Sequence, residues 1–298
     1  MRSLFIAISF MVSYSAGAAV PVVQRDLAYA EPKNERQCLD VYAPPGAKNR
    51  PIMVWIHGGA WERGDKKLVH HKPQAFVDRD YVFVAINHRF HPAVTIREIL
   101  EDVAKAIRFT HDRAREFGGD PNTIFVGGHS SGAHLAAMVC TDERYLRAEG
   151  LSFKILHGCI PVDGNTYDVV QQVKLTESLQ TRPPFTSHRI RFGPTARQRE
   201  LSPITYVARE RGIPPFLILH IADFPQKAQP NAQTTGLQSH LLANALLRVA
   251  LVPVRVVAVP GKDHRTLDSD IGAPDDPSAK AIFDFMDSRL KLSRQETP

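Results

Sequence analysis

Thr123-Ile124-Phe125-Val126-Gly127-Gly128-His129-Ser130-Ser131-Gly132, followed by Ala133 to Cys140 (AHLAAMVC), sets an apolar run, a glycine-flanked serine and a helix-compatible stretch in immediate succession. Strand, sharp turn and helix around G-x-S-x-G is the context that lifts a serine hydroxyl clear of a sheet as a nucleophile. Only Ser130 has glycine both two residues before and two after it; Ser131, its neighbour, does not. A turn this tight strains the backbone and draws neighbouring chains close, which is the physical need for glycine on both sides. At ordinary glycine and serine frequencies the pattern arises by chance roughly 0.05 times in a chain of this length, so the surrounding pattern must carry part of the argument.

Working outward, four more short runs are apolar throughout: Ile52 to Ile56 (IMVWI), Tyr81 to Ile86 (YVFVAI), Phe216 to Ile221 (FLILHI) and Val252 to Val259 (VPVRVVAV). Unbroken apolarity, as opposed to alternation, marks strands covered on both faces. Between them lie helical periods. Ile96, Leu100, Val103 and Ile107 recur at three- to four-residue steps within Thr95 to Phe117, and Ile282, Phe285, Met286 and Leu290 do so near the end. Strand and helix therefore alternate, which predicts an α/β fold with a mostly parallel central sheet and helices on both faces. Val22 to Ala28 and Gln37 to Tyr42 read as antiparallel edge strands, and Phe153 to Val162 as a further strand.

Two segments break the rhythm. Residues 1 to 18 run from a positive start (Met1-Arg2) through a short apolar stretch (Leu4 to Val12) to small residues (Ala16-Gly17-Ala18), the order of a signal peptide cleaved before Ala19. That predicts a secreted or periplasmic protein with one domain over residues 19–298. Residues 164–212 are polar and rich in Arg and Pro (Arg182, Pro183, Pro184, Arg189, Arg191, Pro194, Arg197, Arg199), and read as a small irregular cap insertion. Five Arg and one Glu within Thr181 to Glu200 suggest either a solvated basic face or attraction for anionic substrates.

The whole chain has 298 residues, 43% apolar side chains and a formal charge of +6, the profile of an ordinary globular protein and not of a nucleic-acid binder. No stretch has the length to span a bilayer. Three cysteines, Cys38, Cys140 and Cys159, are compatible with at most one internal disulfide and match no zinc spacing; buried structural thiols explain them best.

A serine hydroxyl needs a base, an orienting acid and a site for the developing oxyanion. His57-Gly58-Gly59-Ala60-Trp61 directly follows the IMVWI run, and its glycines can turn backbone N–H groups of Gly58 and Gly59 toward an oxyanion, joined by that of Ser131. Base and acid follow the serine in the order Ser, Asp/Glu, His. Two residues at strand ends satisfy it: Asp223 after FLILHI, and His264 in Pro260-Gly261-Lys262-Asp263-His264 after VVAV. Asp163 and Asp168, after the Phe153 to Val162 strand, are alternatives for the acid, whereas Asp263 adjoins His264 too closely and reads as a turn residue. His70 and His71 are adjacent and would point to different sides of a regular element, His88 and His91 lack nearby carboxylate or Cys partners, and no phosphate-binding glycine loop is present, so neither metal nor cofactor is expected.

HGGAW, GHSSGAHLAA, SPITYV (Ser202 to Val207), PPFLILHIAD (Pro214 to Asp223) and PGKDH together resemble the α/β-hydrolase superfamily. More narrowly they resemble bacterial carboxylesterases related to acetylxylan and feruloyl esterases and to arylformamidases. The resemblance runs from about Leu39 to Leu290. It implies Ser130 as nucleophile, His264 as base, Asp223 as acid, and Gly58, Gly59 and Ser131 N–H groups as the oxyanion hole. It further implies a small-molecule or polymer-attached ester as substrate, or an aryl formamide handled by the same machinery. The chain departs from those relatives at Ser131, where many have Ala, and at His220-Ile221-Ala222-Asp223, one residue shorter than their turn and without its glycine. A non-catalytic binding protein on this fold need keep none of these groups.

Overall fold

The computed structural model describes residues 19–178, 188–222 and 232–296; the proposed signal peptide, part of the cap segment and Asp223 lie outside the described residues. Among the described residues, eight strands occupy Val22–Ala28 (β1), Cys38–Ala43 (β2), Arg50–Ile56 (β3), Val82–Ile86 (β4), Gly119–His129 (β5), Leu156–Val162 (β6), Phe216–Ile221 (β7) and Val254–Val259 (β8). The helices are Lys72–Val77 (α1), Ile96–Asp112 (α2), Ser131–Thr141 (α3), Arg144–Ala148 (α4), Val169–Ser178 (α5), His188–Phe192 (α6), Thr195–Glu200 (α7), Ala232–Ala245 (α8), Thr266–Ser269 (α9) and Pro277–Glu296 (α10).

The strands form one sheet in the order β1-β2-β4-β3-β5-β6-β7-β8. β1 and β2 run antiparallel to their neighbours and the other six strands are parallel. Successive residues of a strand point to opposite faces, and both faces are covered. Ile52, Val54 and Ile56 of β3 join one core with Ile99, Val103 and Ile107 of α2 and Leu135 and Met138 of α3. Met53 and Trp55 of the same strand join a second core with Phe76 of α1 and Ile282, Phe283 and Met286 of α10. Each such aliphatic or aromatic side chain contributes about 1.5–3 kcal/mol by leaving water, which is why the runs are unbroken.

Local signals agree with this packing. Thr95 caps α2 in a reciprocal box with Glu98, satisfying amide groups that the first turn leaves open. Three expectations change. β2 lies inside the sheet with all six residues buried, so only β1 is an antiparallel edge. β8, apolar in sequence, is the opposite edge and is only partly covered. The segment expected to be irregular contains α5, α6 and α7; α5 buries Gln172 and Thr176 beside Val169 and Val173, and polar residues on the buried face obscure the helical period. Cys38, Cys140 and Cys159 are buried free thiols. Among the described residues no helix is long and apolar enough to cross a membrane.

The chain leaves β3 toward β4 on one side and returns to β5 on the other. Ligands of open α/β sheets bind at the carboxyl ends of strands where the order reverses in this way. The Gly58-Gly59 loop and Ser130 stand at the ends of these two adjacent strands.

Candidate active site

Ser130 links β5 to α3 with φ 56° and ψ −117°, a backbone that L-residues rarely adopt. The motif glycines make the turn possible. A Cβ on Gly132 would lie 2.2 Å from the Ile56 carbonyl oxygen, and one on Gly128 would lie 2.6 Å from the Gly132 oxygen. Both are closer than any carbon can approach. The Ser130 amide donates to the Val162 carbonyl at 2.9 Å, fastening the turn to β6.

The His264 ring reaches the serine from the loop after β8, with Nε2 3.0 Å from Ser130 Oγ. Its Nδ1 lies 2.6 Å from Asp163 Oδ2. A carboxylate only accepts, so Nδ1 carries the hydrogen and Nε2 keeps a lone pair for the serine proton. Burial alone would raise the Asp163 pKa, but the His264 hydrogen bond and charge, with His129 and the Thr235 hydroxyl, hold it below the ordinary carboxylate value. Its second oxygen, Oδ1, accepts the Ile221 amide at 3.2 Å.

Among the described residues the acid facing His264 is Asp163, an alternative in the sequence reading; the first-choice Asp223 lies outside the described residues. Both follow strands, so strand-end position could not separate them. Register places Asp163: His129 pairs with Val162 across β5 and β6, setting Asp163 beside Ser130. Asp168 instead sits at the start of α5, accepting the Gln171 amide at 3.0 Å. Asp263 is a turn residue as expected, its Oδ1 accepting the Arg265 and Thr266 amides at 2.9 and 2.7 Å.

The glycine loop packs directly on the serine turn. A Cβ on Gly58 would lie 2.9 Å from His129 Nδ1 and 3.2 Å from Ser130 Cβ. Gly59 has φ 132°, and Ala60 and Trp61 follow at positive φ, 56° and 63°. Among the described residues the amides of Gly58, Gly59 and Ser131 make no turn, loop or cap hydrogen bond. Ser131 opens α3, so its N–H has no acceptor within the helix and lies at the positive end of the helix dipole. These groups can receive a negative oxygen beside Ser130.

Sequence reasoning passed over three groups behind this arrangement: His129, Asp268 and Lys72. The His129 ring lies 4.5 Å from that of His264 and its Nε2 is 2.7 Å from the His264 carbonyl oxygen. Its position inside G-x-S-x-G was the available signal. His129, Asp163 and His264 together bring one metal-type donor atom each within 4.8 Å, the one such set among the described residues. Ring nitrogens of both histidines are already engaged, His264 with Asp163 and Ser130 and His129 with the His264 carbonyl, so hydrogen bonding accounts for the cluster. His91 does have an acidic neighbour, Glu62 at 3.6 Å, and His88 stacks on His57 with ring centres 4.5 Å apart.

The sequence profile of the family described as BD-FAE matches residues 39–241. The chain belongs to the BD-FAE family. Esterase LipQ of Mycobacterium tuberculosis (strain ATCC 25618 / H37Rv) is 26% identical to it over 277 residues, covering 88% of this chain and 61% of LipQ. The isoprenylcysteine alpha-carbonyl methylesterase ICME of Arabidopsis thaliana is 31% identical over 136 residues, 45% of this chain and 31% of ICME. This BD-FAE chain thus spans about three fifths or less of the length of those curated relatives. A truncated form of a carbohydrate esterase from gut microbiota superposes with a TM-score of 0.72 at 21% identity, covering 93% of this chain and 99% of that one. The fold is that of the α/β hydrolases, as the motifs suggested.

In this BD-FAE protein the described part of residues 164–212 packs on the residues that follow the glycine loop. Trp61, buried, donates from Nε1 to His134 Nδ1 at 3.3 Å, and His134 Nε2 donates to the Leu201 carbonyl at 2.8 Å. Phe192 of α6 meets the Trp61 ring edge-on at 5.0 Å. Arg191 forks onto Glu62 with contacts of 2.7 and 2.9 Å, and Arg189 pairs with Glu177. Two of the five arginines are thus neutralised by glutamates outside Thr181 to Glu200, so the local charge overstates any pull on anions.

Proposed function

We propose that this protein is a serine carboxylic-ester hydrolase acting through an acyl-serine intermediate without a cofactor. The observation that carries the reading is the continuous relay from Ser130 Oγ through His264 to buried Asp163, at 3.0 and 2.6 Å. Family membership and relatives named as esterases support the reaction class.

Ser130 Oγ attacks the ester carbonyl as its proton passes to His264 Nε2. The carbonyl π electrons move onto oxygen, and the N–H groups of Gly58, Gly59 and Ser131 receive that charge. Collapse of the tetrahedral intermediate expels the alcohol, which takes the proton from His264. Water then attacks the acyl-serine with His264 again as base, releasing the carboxylic acid and restoring Ser130. Asp163 stays ionised, orients the ring and stabilises the imidazolium. The substrates are esters of short-chain or aromatic acids, free or attached to a polymer.

The protein acts outside the cytoplasm, in a periplasm or secreted, a reading supported by the order of charge, apolar run and small residues in positions 1 to 18. N-terminal sequencing of the exported protein should begin at Ala19; recovery of the intact N-terminus from the extracellular fraction contradicts cleavage there. The test of the chemistry is mass-spectrometric mapping of a fluorophosphonate adduct. Adduct on Ser130, and loss of p-nitrophenyl acetate turnover in Ser130→Ala, are expected. A folded Ser130→Ala variant with wild-type turnover refutes the assignment.

A further inference from the structure

We infer that His129 is a positioning residue that locks the His264 loop to the serine turn, with the buried Asp268–Lys72 ion pair anchoring the loop's far end. The inference rests on the acyl-serine reading and deepens it.

His264 stands on a poorly supported element. Its loop leaves β8, an edge strand whose residues are only partly covered, and its side chain is 48% exposed. Proton transfer nevertheless needs Nε2 held at hydrogen-bond distance from Ser130, and a displacement near 1 Å costs on the order of 10²-fold in rate. Several bonds of the loop are local. Asp263 closes its own turn, and Lys262 pairs with Asp270 at 2.9 Å and Asp276 at 3.0 Å. None of these bonds ties the loop to β5.

His129 does. It precedes Ser130 in the chain, and since the His264 carbonyl only accepts, Nε2 of His129 carries the hydrogen and donates to it at 2.7 Å. The two rings lie against each other, so the same side chain fixes both the backbone and the face of the base. Burial holds the His129 pKa down to about 4, keeping the ring neutral at ordinary pH.

The far end of the loop runs into α9, where Asp268 Oδ2 lies 3.9 Å from His129 Nδ1, beyond hydrogen-bond reach. Asp268 Oδ1 pairs instead with Lys72 Nζ at 2.7 Å, and Nζ also donates to the Asp268 carbonyl at 2.7 Å. Lys72 is fully buried on α1 with Nζ 5.0 Å from the centre of the Trp55 ring. A buried lysine is costly unless paired, and Asp268 meets that requirement while fixing α9 to the second core. The loop that carries His264 is thereby held at His264 itself and four residues later.

The experiment compares His129→Leu, which removes the donor, with His129→Gln, whose amide nitrogen can occupy the Nε2 position. Steady-state kinetics on p-nitrophenyl acetate, thermal melting and the downfield proton resonance of the His264–Asp163 hydrogen bond are read together. In His129→Leu, kcat should fall about 10- to 100-fold with KM within about threefold, and the resonance should broaden or vanish. His129→Gln should recover most of kcat and the resonance. Wild-type kcat in His129→Leu, or equal loss in both variants, overturns the inference. Should His129→Leu fail to fold, Asp268→Asn replaces it: kcat down several-fold at unchanged KM supports the anchor, and wild-type kcat refutes it. Ser130→Ala separates the two levels. If it is inactive while His129→Leu is wild type, only this inference falls; if it stays active, the acyl-serine reading falls.

Discussion

Replacing Asp163 by asparagine keeps volume and shape and changes only the hydrogen-bond chemistry, so its outcome can be worked from the geometry. Three donors face this carboxylate: His264 Nδ1–H at Oδ2, 2.6 Å away, the Ile221 amide at Oδ1, 3.2 Å away, and the Thr235 hydroxyl. An asparagine side chain has one acceptor oxygen and one NH2 group. The Ile221 amide cannot change its role, but a hydroxyl can turn to donate or accept and an imidazole can exchange tautomers. The oxygen therefore stays with Ile221 and the NH2 group turns to His264, whose Nδ1 must become the acceptor. The ring hydrogen moves to Nε2, where it faces Ser130 Oγ and can no longer take the serine proton. Loss of the correct tautomer in such a relay costs about 10⁴ in kcat, equivalent to about 5.4 kcal/mol of transition-state stabilisation. The assay is kcat and KM for p-nitrophenyl acetate at neutral pH, on Asp163→Asn and Asp223→Asn in parallel. We expect the large loss in Asp163→Asn alone. If Asp163→Asn keeps kcat within about tenfold of wild type and Asp223→Asn loses about 10³-fold, the acid is Asp223 and the tautomer argument fails.

Two further outcomes concern stability. Gly132→Ala sets a Cβ 2.2 Å from the Ile56 oxygen and 2.6 Å from the His57 oxygen, both backbone atoms; it should lower stability by about 3 kcal/mol or more, and an unchanged thermal midpoint would contradict the close approach. Burial holds His57, His129 and His134 down to about 4, so the unfolded chain binds protons that the native state refuses. Stability from these rings is fully present above their ordinary value of about 6.5 and is lost as pH falls toward the folded values, by about 1.4 kcal/mol per unit for each ring. Asp163 and Asp268, held below the usual carboxylate value, act in the same direction at lower pH. Urea midpoints measured at about pH 7 and about pH 5 should fall with pH, and a flat profile would refute neutral burial.

The unbroken runs IMVWI, TIFV and FLILHI were legible as doubly covered strands because both faces of β3, β5 and β7 meet apolar side chains. The VPVRVVAV run shows the limit of that signal: β8 is an edge strand and only partly covered, and Arg255, exposed within it, is the one residue in the run that marks the difference. Within residues 164–212, α5 escaped notice because Gln172 and Thr176 occupy its buried face, with Gln172 bonding Thr234 at 3.3 Å.

By itself the sequence determined the α/β class, the serine turn with its two glycines, the glycine loop after β3 and His264 beyond the last strand. Each of these rests on local chemistry, since periodicity, a positive φ and a close backbone approach restrict residue type within a few positions of the chain. The acid facing His264, and the group that holds the His264 loop, were decided by tertiary structure. Asp163 and Asp223 are equivalent as strand ends, and only the pairing of β5 with β6 brings Asp163 to the serine. His129, Asp268 and Lys72 come from three separate segments, and nothing local to any of them encodes the other two; their relation exists only because α1, the serine turn and α9 converge behind the same ring.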